Sequence, residues 1–428
     1  MSSSLSDPLV AANDDVTLAA GERTIELLPL ESSARIQMLP LITTVTFYKG
    51  TPPTAFLQQR VSEIVKANPW LGGKVAKRNG KHMIVCDDAP VSSLFVALSP
   101  HEVPIHSGLT LTEVGLLIRK LEPPKAPDAV QFKVALVPDE RTPDAAFCVV
   151  VSLSHTLGDG ATYYALLNML GAEATVRALQ PIRQQLTPDQ EAALMGQAEV
   201  DFTTTPGYIC GSLCAVCRGC CVSKAVPHVW PVSGSWLAEQ KVEGARESET
   251  GFVSSNDVLT SWFFRSVRAT VGLMAVNLRG RAGMSASAED AGNYESLLLY
   301  RPPDYARAAL LRKSVARMRR AAEPPTALPG CCTLCCAHMA VVSNWATFHN
   351  GLELPGCEQI GHYPMMASVP VNLDLSSAVI FRPRRDELAV WTLSPRMRVE
   401  SQVMERDGPL GEPMGTCAGP SASERRAI

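Results

Sequence analysis

Long apolar runs are missing from this chain. No window offers about 18 consecutive apolar residues, the length a spanning helix needs, so no membrane span is expected. Blocks of positive charge are missing too. Lys and Arg number 39 against 42 Asp and Glu, the net charge is −3, and no long basic stretch occurs. A nucleic-acid partner is therefore not expected. The opening residues, MSSSLSDPLVAANDD, carry neither a basic segment nor an apolar core, so no secretory signal is expected. Ser2 stands where N-myristoylation requires glycine, and the final ERRAI is not a prenylation box. No internal repeat is found. A cytoplasmic location follows as the expectation.

Charged residues make up 19% and apolar residues 46%, which supplies large cores and is not a disordered composition. At 428 residues the chain exceeds one ordinary domain, so two domains or two lobes are expected. The 13 cysteines are mostly clustered. Without a signal segment, a reducing compartment and free thiols are the default.

Residues 1–20 read as a disordered arm, 21–180 as an N-terminal lobe and 181–250 as a crossover with a Cys-rich segment. Residues 251–400 read as a C-terminal lobe and 401–428 as a disordered tail. Leu39 to Tyr48 is rich in β-branched residues and predicts a strand. Pro53 to Ala67 keeps a helical spacing through Phe56, Leu57, Val61, Ile64 and Val65, and stops at Asn68-Pro69. Asn79-Gly80 predicts a hairpin between Lys74–Lys77 and Lys81–Cys86. Val130–Leu136 and Phe147–Leu153 predict two paired strands, and a helix is expected from Ala161 to about Ala178. In the second half, Ser255 is the expected cap of a helix through about Thr270. Strands are expected at Leu273–Leu278, Ala340–Thr347, Ser377–Arg382 and Glu387–Leu393, with a basic helix at Tyr305–Ala322.

The chemistry concentrates in Phe147 to Leu170, FCVVVSLSHTLGDGATYYALLNML. An apolar strand breaks at Ser154-His155, turns through Gly158-Asp159-Gly160, and continues as a helix. A strand end holds His155 rigidly, and the glycines allow an unusual backbone turn. Imidazole, with a pKa near neutrality, suits proton removal from a hydroxyl or amine. The competing reading is a core histidine at a strand end, with Asp159 merely capping the helix.

The stretch His155-x-x-x-Asp159-Gly160 resembles the signature of the BAHD acyltransferases, in the wider chloramphenicol-acetyltransferase-like superfamily. Other segments agree in order. They are Asn68-Pro69-Trp70-Leu71-Gly72-Gly73-Lys74, the hairpin after it, Val130-Gln131-Phe132-Lys133, and Ser254-Ser255-Asn256-Asp257-Val258-Leu259. Then follow Asn277-Leu278-Arg279-Gly280-Arg281, Gly292-Asn293 and Ser343-Asn344-Trp345. The resemblance spans roughly residues 25–395. It implies an α/β (α+β) protein of two chloramphenicol-acetyltransferase-like lobes, each a mixed sheet with helices, with an active-site channel between them. It implies an acyltransferase for groups other than amino-acyl groups. His155 would be the general base, Ser343 the hydroxyl donor to the oxyanion, and Trp345 its neighbour at the site. Asp159 and Gly160 would be structural, with Asp159 paired to Arg279 or, failing that, Arg281. The co-substrate implied is acyl-CoA and the acceptor a small alcohol or amine. No other cofactor and no metal ligand is expected, and the protein is expected to be a monomer.

One departure marks a divergent branch. The family's C-terminal aspartate-phenylalanine-glycine-tryptophan-glycine box is absent, and Leu352-Glu353-Leu354-Pro355-Gly356-Cys357 stands in its place. Ser154 occupies the position where condensation domains and wax-ester synthases carry a second histidine, which argues against those relatives. A catalytically silent, ligand-binding relative is the alternative reading.

Two cysteine clusters stay open. Cys210, Cys214, Cys217, Cys220 and Cys221 form one, and Cys331, Cys332, Cys335 and Cys336 the other. They can pack as small apolar side chains, form an S-acylated patch in peripheral contact with a membrane, or supply zinc ligands from Cys214-x-x-Cys217 and Cys332-x-x-Cys335. His101, His106, His338, His349 and His362 read as surface or satisfied residues. The basic helix around Arg312, Lys313, Arg317, Arg319 and Arg320 reads as a solvated face.

Overall fold

In the computed structural model the described residues run from Arg23 to Pro395, with Leu410 and Met414 beyond them. Residues 34–35, 38, 79, 87–90, 107, 125–128, 185–187, 203–204, 220–224, 282, 324–325 and 366–374 are excepted. The expected arm and most of the expected tail lie outside the described residues. So do Asn79, Cys220, Cys221 and the side chains of Cys331 and Cys332.

The strands in chain order are β1 (Arg23–Glu26), β2 (Ile42–Lys49), β3 (Lys74–Arg78), β4 (Lys81–Cys86), β5 (Phe95–Ala97), β6 (Phe132–Pro138) and β7 (Ala146–Leu153). Then come β8 (Ala225–Pro231), β9 (Val271–Asn277), β10 (Glu295–Tyr300), β11 (Met339–Asn344), β12 (Glu358–Pro364), β13 (Leu375–Phe381) and β14 (Ala389–Pro395). They belong to two compact units. The first comprises Met1–Gln185, Ala286–Tyr294 and Phe348–Ser368, and the second comprises Leu186–Ser285, Glu295–Thr347 and Val369–Ile428.

The first unit holds a five-stranded mixed sheet, β12-β2-β7-β6-β5, and a three-stranded sheet, β1-β4-β3. β7 lies antiparallel to both its neighbours, β2 and β6. Phe147 through Leu153 are buried without interruption. A strand covered on both faces has no solvent side, which explains its unbroken apolar run. The helix Thr54–Ala67 buries Leu57, Val61 and Ile64 at spacings of four and three. The β3–β4 hairpin closes as expected, with Arg78 opposite Lys81 and Gly80 at a φ of 77°. Gly73 begins this hairpin because a methyl there would collide with Ile84.

The second unit holds a six-stranded mixed sheet, β10-β9-β11-β13-β14-β8. β9, β11 and β13 run parallel, and the remaining pairs are antiparallel. The helix Ser255–Ser266 packs Val258, Leu259, Phe263 and Phe264 into a core with Val342, Ile380 and Val390. Its cap is Ser254, one residue before the expected position, in a reciprocal pair with Asp257.

Two helices are shorter than expected. The helix after His155 ends at Asn168, not near Ala178. The backbone beyond is claimed by other partners. Arg60 donates to the carbonyls of Ala172 and Ala174, Ala172 N donates to Glu353, and the Asn68 amide bridges Arg177 and Leu179. The basic helix spans Ala308–Arg317 and stops where Met318 turns left-handed, φ 52°. The sequence reading did not mark β8, β10 or β12.

Candidate active site

The site in the first unit is built around the end of β7. Ser154 N still donates to Gln131 O at 2.8 Å, so the backbone stays fixed one residue past the strand. A turn then closes from Leu157 N to Ser154 O, 2.9 Å, and puts His155 at its second position. Ser154 Oγ accepts from Thr156 N at 3.2 Å and tightens the turn. His155 is half-buried, whereas residues 156 to 160 are buried.

The turn is gripped through its carbonyls. Asn293 Nδ2 donates to His155 O at 2.6 Å, and Arg183 Nη2 donates to Leu157 O at 2.8 Å. Both grips converge on Glu31. Its Oε2 accepts from Arg183 Nε at 2.9 Å and from Leu28 N at 2.9 Å. Its Oε1 accepts from Asn293 N and Nδ2 at 2.9 and 3.0 Å. The Arg183 and Glu31 side chains are 1% and 0% exposed. Arg183 Nη1 further donates to Pro181 O and Ala291 O. Such a pair stays away from water only because its polar groups find partners: Glu31 accepts four hydrogen bonds and Arg183 donates four. Sequence reasoning missed Glu31 and Arg183. They lie 152 residues apart in unpatterned loops, and no local periodicity marks either.

Asp159 serves backbone amides. Its Oδ1 caps the helix Gly160–Asn168 by accepting from Thr162 N at 3.0 Å, and its Oδ2 accepts from Tyr294 N at 2.9 Å. Asp159 N donates to Gly292 O, which also accepts from Thr162 Oγ1. Gly292 has a φ of 138°, and a Cβ there would stand 3.0 Å from Arg183 Cδ. Only glycine fits both the conformation and the space. Gly158 is similarly confined, since a Cβ would lie 2.7 Å from Thr162 Cβ. Gly160 opens the helix as its first residue.

Behind the helix, Tyr164 Oη pairs with His362 Nε2 at 3.0 Å, and His362 Nδ1 with Thr46 Oγ1 at 2.9 Å. His349 stacks on His362 with ring centroids 4.0 Å apart. Burial lowers the pKa of His349 to about 4. His362 lies well below its ordinary value through burial and then the neighbouring His349. Burial raises the pKa values of Tyr163 and Tyr164. These rings are neutral packing elements, and the satisfied reading of His362 holds. In the second unit His338 likewise pairs with Ser376 at 3.0 Å.

The other expected site residues belong to the second unit. Ser343 lies near the end of β11, and Trp345 Nε1 donates to its Oγ at 3.0 Å. That bond occupies an oxygen lone pair and leaves the hydroxyl proton to donate elsewhere. Trp345 N is held by Ile380 O at 2.8 Å. Arg279 is half-buried in the turn after β9, its N and Nη1 on Asn277 Oδ1 at 3.1 and 3.2 Å. Arg281 Nε donates to Asn277 O.

No protein-family model and no curated protein matches the chain. Solved structures do. F. graminearum TRI101 complexed with ethyl coenzyme A superposes with a TM-score of 0.58 at 14% identity, covering 90% of this chain and 98% of that one. Vinorine synthase gives 0.59 at 13% identity, covering 93% and 98%. The chain has the two-lobed fold of the BAHD-like acyltransferases. The first condensation domain of the CDA synthetase also matches, at 0.52 and 12% identity over 87% and 90% of the two chains. The BAHD-like fold is thus shared with condensation domains, and the distinction drawn from Ser154 lies in the site, not in the fold. Where the BAHD box would stand, Leu352 and Leu354 are buried, and Tyr48 Oη donates to Leu352 O at 2.8 Å. The substitute segment is anchored to β2 without the box residues.

Proposed function

We propose that the protein is an acyltransferase moving an acyl group from acyl-CoA to the hydroxyl or amine of a small acceptor. The observation that carries the reading is the grip on the His155 turn, which holds the backbone that bears the imidazole at the end of β7, while the Asp159 carboxylate is anchored on two backbone amides. His155 accepts the acceptor's proton as oxygen or nitrogen attacks the thioester carbonyl. A positioned base of this kind contributes on the order of 10²–10⁴ in rate. Collapse of the tetrahedral intermediate expels the CoA thiolate, and the imidazolium returns the proton to sulfur. Ser343 is the proposed donor to the oxyanion, a term often larger than the base itself, with its hydroxyl oriented by Trp345. Arg279 is the proposed charge partner of Asp159, and the enzyme is proposed to act as a monomer. The likeness to TRI101, whose structure is complexed with ethyl coenzyme A, supports CoA as carrier.

Free-thiol release from a panel of acyl-CoAs, against mixed alcohols and amines, tests the activity, and mass spectrometry of the products distinguishes ester from amide. Acceptor-dependent release is expected. Binding of an acyl-CoA or acceptor without turnover favours the silent relative.

Among the described residues no helix is long and apolar enough to cross a membrane.

A further inference from the structure

The sequence reading pairs Cys214 with Cys217 and Cys332 with Cys335. The fold of the second unit brings together a different set. Cys210 and Cys214 stand one turn apart on the helix Pro206–Gly219, and Cys335 ends the short helix Cys331–Cys335. Their three sulfur atoms lie within 4.8 Å of one another. Cys210 Sγ and Cys335 Sγ are 3.7 Å apart.

We propose that Cys210, Cys214 and Cys335 bind a zinc ion. With Zn–S bonds of about 2.3 Å, a tetrahedral site requires sulfur–sulfur edges of about 3.8 Å. The 3.7 Å separation already has that length, and the third thiol comes within about an ångström of it. A disulfide would need the same two sulfurs near 2.05 Å, roughly half the distance. All three residues are thiols here.

The surroundings hold the two helices in this register. A Cβ on Gly211 would stand 2.7 Å from Leu334 Cβ, so only glycine lets the helices approach this closely. Leu334 and Tyr208 anchor the contact in a core with Phe202, Leu273 and Met339. Arg218 donates to the carbonyls of Cys335 and Ala337, fixing the end of the short helix. It also sets a cation near a site that would carry net charge −1 with three thiolates and Zn²⁺.

The packing alternative fits less well. A cysteine that packs is illustrated by Cys148, 1% exposed in β7 and with its thiol pKa raised by burial. Cys210, Cys214 and Cys335 are instead half-buried at the rim of the core, open to an arriving ion. Binding converts three thiols to thiolates and releases three protons, so affinity rises with pH. Three thiolates leave one tetrahedral position for a further ligand. The clamp would tie the helix Pro206–Gly219 to the segment leading into β11, which carries Ser343.

The test is elemental analysis of the full-length protein purified without chelator, followed by Co²⁺ loading of the chelator-treated protein. One zinc per chain is expected, together with thiolate-to-cobalt charge transfer and the visible absorption of tetrahedral Co²⁺. Cys210→Ser and Cys335→Ser should each weaken Zn²⁺ binding at least tenfold in competition with a chromophoric chelator. Cys86→Ser, in the other unit, should bind as wild type does. Sub-stoichiometric zinc with no cobalt–thiolate band in the wild type overturns the proposal. So does full retention of zinc in Cys210→Ser, or a Cys210–Cys335 disulfide in the protein as isolated. The cobalt spectrum is read on the wild type and does not depend on a variant folding.

Discussion

Burial keeps His349 neutral, and that neutrality has a consequence for acid stability. Its folded pKa of about 4 lies below the ordinary 6.5, so between these values the unfolded chain binds the proton and the folded one does not. Stability therefore falls as pH drops from 6.5 towards 4, and the dependence levels off below. The difference corresponds to about 3 kcal/mol for this one group. Replacing His349 with Phe keeps a ring against His362 and removes the proton site. Urea midpoints at pH 7 and pH 4 should show the variant losing about 3 kcal/mol less than wild type across the interval. Equal losses would exclude His349 as the acid-sensitive group. The sequence could not single out His349. It reads as one lone histidine among five, and only the packing of β12 beside β2 stacks it on His362.

At the scale of elements, the turn between β7 and its helix depends on one carboxylate serving two amides. Asp159→Asn keeps one acceptor oxygen but offers an NH₂ group to either Thr162 N or Tyr294 N. One buried N–H is then unsatisfied, a cost of about 1–3 kcal/mol. The variant should yield less soluble, active protein and a lower urea midpoint; wild-type stability and activity would refute the strut role. β7 was legible as an unbroken apolar run and the helix Thr54–Ala67 as a helical spacing, because burial on both faces imposes the first and burial of one face the second. β10 and β12 were not. ESLLLY begins with polar residues before three buried ones, and EQIGHYP contains a glycine, a proline and a histidine. In each case pairing to a neighbouring strand, not local pattern, decides the conformation. The helix after His155 was overextended because its apolar run continues. Arg60 and Asn68, far away in sequence, claim the backbone that would have extended it.

At the scale of the molecule, the first unit closes on itself through Glu31, Arg183 and Asn293, which join its start, its crossover and its inserted segment Ala286–Tyr294. Arg183→Met strands the Glu31 carboxylate in a dry interior and should cost about 3–5 kcal/mol. Adding Glu31→Leu removes the stranded charge and should recover part of that loss in thermal unfolding. A double variant as unstable as the sum of the two single changes would argue against coupling. The ordered series of landmarks from Asn68 to Trp345 made the fold legible although no single one is specific. Of the clamp only Asn293 stood out in the sequence; Glu31 and Arg183, 152 residues apart, carry no mutual pattern.

The central claim is that His155 removes the acceptor's proton. Acceptor-dependent CoA release by the wild type and by His155→Ala, with folding of both checked by circular dichroism, tests it most directly. The rate should fall on the order of 10²–10⁴-fold in the variant. Equal rates would contradict the assignment.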